Sequence, residues 1–115
     1  MESIWSEYLS SITEQQSTAV QTVLKQAKEY IPGAEAAMSY AMPTWKSGGK
    51  SIVSVAAWKN HLAIYPHGMK PAQLVAGDLK HGVVDKSAIK YNYNHLPRGS
   101  ELKTIVDAKL KSLSD

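Results

Sequence analysis

The 115-residue chain contains no cysteine, and this removes several kinds of chemistry at once. Disulfide staples, a thiolate nucleophile and Cys-ligated zinc are all excluded. Arginine is scarce too: Arg98 is its single instance. Arginine is the side chain best shaped for bidentate contact with phosphate or guanine, and the lysines are scattered singly, so nucleic-acid binding is not expected. No run approaches the roughly 18 apolar residues of a membrane span. The opening MESIWSEYLSS carries Glu2 and Glu7 and lacks the basic start and apolar run of a signal peptide, so a cytoplasmic location is expected. There is no HExxH run, no GxSxG elbow and no glycine-rich phosphate loop. Carboxylates are few in the middle of the chain, which leaves little for paired acid–base catalysis. An enzyme is the least supported class, and no cofactor is implied.

What is present is an ordinary globular mixture, 43% apolar and 20% charged, of a size suited to one domain spanning residues 1–115. The net charge of +3 is uneven. Residues 1–35 hold five acids against Lys25 and Lys28, a balance of −3, and the remainder carries +6. Such a surplus favours anionic partners.

Hydrophobic periodicity divides the chain. Ile4, Trp5, Tyr8, Leu9 and Ile12 recur at helical spacing, and Thr13 with Gln16 forms a capping box ahead of Val20, Val23, Leu24, Ala27, Tyr30 and Ile31. Pro32-Gly33 ends that helix. Thereafter the period moves towards two. Strands are predicted over Glu35–Met42, stopping at Pro43, then Ser51–Trp58, His61–Pro66 and Ala88–Tyr93. Pro71 opens a short helix, and Leu102, Ile105, Val106, Leu110 and Leu113 mark a last one. The expected fold is α+β: a four-stranded, largely antiparallel sheet with N-terminal and C-terminal helices packed on one face.

Alternation makes a sharper statement about the central hairpin. With Lys59-Asn60 as the turn, Ala56 pairs with Ala63 and Ser54 with Tyr65. One face then carries Val53, Val55, Ala57, Leu62 and Ile64 and belongs under the helices. The other carries Ile52, Ser54, Ala56, Ala63, Trp58, His61 and Tyr65, small in the middle and aromatic or ionisable at the ends. A floor of that kind suits a small ligand, or packing against a second copy of the chain. The four histidines, His61, His67, His81 and His95, show no i, i+4 pair for a metal.

Three ordered segments carry a resemblance to a known family. Ala37-Met38-Ser39-Tyr40-Ala41-Met42-Pro43-Thr44-Trp45 is similar to its "ISYGMPAF" stretch. Ala57-Trp58-Lys59-Asn60-His61-Leu62-Ala63-Ile64-Tyr65-Pro66 resembles "AxxKxHxxFxP", and Lys86-Ser87-Ala88-Ile89-Lys90-Tyr91 with Leu96-Pro97 resembles "KGTIRF…PLP". This is the YdhG-like family, a domain of unknown function in which some members are labelled frataxin-like iron chaperones. Ala41 stands where the family pattern has glycine, Trp45 where it has phenylalanine, and Ser87 where it has glycine. The resemblance implies an α+β fold. Its first two motifs mark Tyr40, Met42, Pro43, Trp45, Trp58, Lys59, His61 and Tyr65 as candidate ligand-binding residues for a small anionic or aromatic molecule. A homodimer burying the same face is the alternative, and iron donation to iron–sulfur assembly rests on the label alone. Glu2, Glu7 and Glu14 form no dense acidic ridge and the net charge repels cations, so zinc or ferrous iron is expected to bind weakly.

Overall fold

Thr13 is the first fixed point of the fold. In the computed structural model, which describes residues 2–114, its hydroxyl accepts the Gln16 backbone N–H at 3.1 Å while Gln16 Oε1 accepts the Thr13 N–H at 3.0 Å. This reciprocal cap starts helix α2 (Glu14–Lys28), preceded by a 3-10 turn (Ser3–Trp5) and the short α1 (Ser6–Ser10). The apolar stripe of α2, Val20, Val23, Leu24 and Ala27, is buried as its spacing requires.

The sheet follows as β1 (Glu35–Ser39), β2 (Met42–Ser47), β3 (Lys50–Ala57), β4 (Leu62–Tyr65), β5 (Val83–Asp85) and β6 (Ala88–Tyr91). Between β4 and β5 lie α3 (Met69–Leu74) and a 3-10 turn (Ala76–Asp78), and α4 (Ser100–Ser114) follows β6. All neighbours are antiparallel, in the order β1-β2-β3-β4-β6-β5. The fold is α+β, but the sheet has six strands where four were expected. One of the additional strands is β2, which contains Pro43. Pairing with β3 begins only at Thr44, so the proline stands at the sheet's margin, where a missing donor is tolerated. The other is β5, three residues long and too short to announce itself by alternation.

The hairpin register is the expected one: Ser54 opposite Tyr65, Ala56 opposite Ala63, Ala57 opposite Leu62. The Trp58 N–H closes it on the His61 carbonyl at 2.8 Å. Val53, Val55, Leu62 and Ile64 are buried with α2 and α4 against them. Ile52 departs from the alternation. Trp45 pairs with Val53 and Lys46 with Ser51, so Ile52 is an extra residue in a bulge and joins the core rather than the Ser54 face. Leu113, placed by spacing on the apolar face of α4, is 40% exposed. Among the described residues no helix is long and apolar enough to cross a membrane.

Candidate functional site

The face of the sheet away from α2 carries a buried chain of hydroxyls. Thr44 and Ser54 are both fully buried, and their Oγ atoms lie 2.6 Å apart. Thr44 donates its proton to the Met42 carbonyl at 2.9 Å, so the proton between the two hydroxyls must come from Ser54. Ser54 Oγ also contacts His67 Nε2 at 2.6 Å. With the serine proton committed to Thr44, the imidazole is the donor, and Nε2 carries hydrogen. Counting protons along the chain therefore fixes the tautomer, and Nδ1 of a neutral ring is left as an acceptor.

His67 is held from behind as well. Its carbonyl accepts a 2.8 Å bond from Lys109 Nζ of α4, a lysine only 8% exposed. Burial lowers the His67 pKa from its ordinary value, and the nearby Lys109 ammonium lowers it further. Both effects keep the ring neutral near pH 7. Burial likewise depresses Lys109, with Lys50 adding to the effect.

In front of this relay is a cavity of about 500 Å³ lined by Tyr40, Met42, Tyr65, His67, Gly68, Met69 and Ser87. The Tyr40 ring is 87% exposed and stacks on the His67 ring, with centroids 6.3 Å apart and planes at 25°. Tyr65 is steadied by Trp58, whose Nε1 donates to its hydroxyl at 3.1 Å. The backbone around the cavity is unusual. Among the described residues, four non-glycine residues have positive φ: Tyr40 at 50°, Ala41 at 61°, His67 at 53° and Lys86 at 59°. Two line the cavity and the other two adjoin lining residues Met42 and Ser87. Left-handed conformations disfavour side chains, and their gathering round one hollow is a feature of functional sites.

A solved structure shares this architecture. The crystal structure of a protein from the DUF1801 family, YdhG from Bacillus subtilis, superposes with a TM-score of 0.84 over 97% of this chain and 92% of that one. The fold is a YdhG fold. At 20% identity the likeness establishes architecture, and it agrees with the YdhG-like resemblance carried by the three sequence motifs. No family profile and no curated protein matches the chain.

On this YdhG-like frame the candidate residues part company. Tyr40, Met42 and Tyr65 meet at the cavity, and Trp58 joins through its bond to Tyr65. Pro43 is buried next to the lining Met42. Trp45 lies in the core on the helix side: its Nε1 donates to the Leu24 carbonyl at 2.8 Å, its ring meets Trp5 edge-on at 4.7 Å, and Lys28 sits over it at 5.3 Å. Lys59 is exposed in the hairpin turn and His61 is half-buried, and neither lines the cavity. Sequence reasoning passed over His67, Gly68, Met69 and Ser87. One signal was available for the first two, since histidine and glycine in succession after Pro66 suit a loop entering the left-handed region. Among the described residues, no group of three or more His, Asp or Glu gathers as a metal site.

Proposed function

We propose that the chain is a non-enzymatic binding module that takes a small, flat ligand into the cavity between Tyr40 and His67. The observation that carries this reading is the concentration of left-handed, non-glycine backbone round that one hollow. Tyr40 and Tyr65 offer ring faces, and Met42 and Met69 supply adaptable apolar walls. His67, with Nε2–H spent on Ser54, asks the ligand for a hydrogen-bond donor. The buried Lys109 ammonium behind it disfavours a cation and favours a neutral or anionic ligand. No acid among the described residues lines the cavity, and Ser54 is too buried and too committed to act as a nucleophile.

A suitable probe is 4-hydroxybenzoate, which is flat, anionic and equipped with a donor. Titration followed by amide NMR is expected to move Tyr40, Tyr65, His67 and Ser87 together, with the response lost in Tyr40→Ala. Shifts that survive in Tyr40→Ala, or that centre on Lys59 and His61, would overturn the assignment.

A further inference from the structure

A larger cavity than the Tyr40–His67 hollow lies elsewhere. It has a volume of about 590 Å³ and is bounded by α2, the loop entering β5, the segment from Tyr93 to Arg98 and the first turn of α4. Its walls are tied together before any ligand arrives. Glu101 Oε1 accepts the Lys80 backbone N–H at 2.9 Å, and Oε2 accepts the Tyr91 hydroxyl. Gly82 makes room for that second bond, since a Cβ there would lie 2.6 Å from Tyr91 Oη. Gln26 Oε1 receives the Gly99 N–H at 3.3 Å, joining α2 to the start of α4.

The side chains left over have one character. Lys80 and Arg98 make no ion pair among the described residues, and both line the cavity. His81 and His95, brought from two different loops, stack with centroids 4.3 Å apart and planes at 20°. Each imidazole keeps at least one ring N–H, and Ser100 adds a hydroxyl to the wall, whereas the Thr22 hydroxyl is already donating to the Thr18 carbonyl at 2.8 Å. Against these donors stand two acids, Asp78 and Glu101, and both oxygens of Glu101 are already occupied. With Glu101 committed to these bonds, the free charges in the lining are the Lys80 and Arg98 cations against the Asp78 carboxylate. A ligand that satisfies it must bring acceptors, and oxyanions bring the most per unit volume.

We infer that this cavity is a second binding site, distinct from the Tyr40–His67 hollow, that takes a phosphate- or carboxylate-bearing small molecule. Arg98 and Lys80 hold the anionic group, and the His81–His95 stack supplies ring N–H donors beside it. Arg98 is the only guanidinium in the sequence, and its planar fork suits two oxygens of one anion.

The experiment is an NMR titration of the full chain with inorganic phosphate, inorganic pyrophosphate and citrate, reading the ring resonances of His81 and His95 and the amides of Ser100 and Glu101. Saturable shifts are expected, and Arg98→Ala is expected to weaken binding about tenfold or more, the loss of a charge-assisted contact. Lys111→Ala removes an equal charge from an exposed position on α4 and is expected to leave affinity within twofold or so. Phosphate and pyrophosphate binding without citrate identifies the phosphate class, and the reverse identifies carboxylates. No saturable shift into the tens of millimolar overturns the inference. So does equal weakening by Arg98→Ala and Lys111→Ala, the mark of diffuse charge attraction.

Discussion

Replacing Ser54 with alanine tests the hydroxyl relay at its midpoint. The substitution removes one oxygen from a fully buried site and disturbs two bonds, each 2.6 Å long. Thr44 still donates to the Met42 carbonyl, so its loss is one incoming bond, worth about 1 kcal/mol. The His67 N–H loses its acceptor, and because His67 is only half-buried, water recovers part of that cost. The two losses together amount to about 2 kcal/mol. Urea denaturation reads this directly: with a slope of about 1–3 kcal/mol per molar, the midpoint falls by roughly 1 M. The variants Ser54→Ala and Thr44→Val are also expected to be non-additive, since they dismantle one connected chain. A loss below about 0.5 kcal/mol, or strict additivity of the pair, would refute the relay and the tautomer deduced from it.

Leu62, fully buried between Ala57 and Tyr91, is expected to cost about 2–5 kcal/mol on truncation to alanine, and a loss under about 1 kcal/mol by denaturation contradicts its place in the core. The lowered pKa of His67 sets a pH dependence: below the unfolded value of 6.5 the unfolded ring binds a proton and the folded ring does not. Stability therefore falls as pH drops from 6.5 towards the folded pKa, and His67→Asn is expected to flatten that slope; parallel profiles for the two proteins exclude the effect. Ala41 has φ of 61°, so Ala41→Gly is expected to gain roughly 0.5–1 kcal/mol, seen as a melting temperature raised by a few degrees. An unchanged or lower melting temperature would mean the strain there is already relieved by its surroundings.

Local signals were the ones that read well. The Thr13–Gln16 box acts within one turn, and the Trp58–His61 closure within four residues, so α2 and the hairpin register followed from composition and spacing. Pro43 misled because a proline's cost depends on which neighbours pair beside it, and that is settled by β3. The bulge at Ile52 breaks alternation without a glycine to mark it. Alternation put Tyr65 on the cavity face, while Tyr40 and Met42 entered through the first motif alone and do meet it there. Trp45 shares that motif but lies in the core, since closeness in a motif says nothing of which face a side chain takes, and its indole belongs to Leu24. For His67 the local His-Gly signal pointed only to a left-handed loop, because its partners are distant: Ser54 lies 13 residues before it and Lys109 42 residues after it. Ala41 shows the resemblance and the geometry meeting, because the YdhG-like pattern has glycine where the backbone is left-handed.

The bond from Lys109 to the His67 carbonyl has a consequence in time. A ribosome delivers the whole of β1 to β4 and the His67 loop before Lys109 is made, since 42 residues separate the two. During that interval the hairpin can close through its own contacts, while the loop that shapes the Tyr40–His67 hollow has no ammonium beneath it. The His67 loop thus gains this support only when α4 docks and its lysine reaches across. Under the binding reading proposed above, ligand capture and docking of the final helix are linked equilibria, each favouring the other, and binding competence comes late rather than strand by strand.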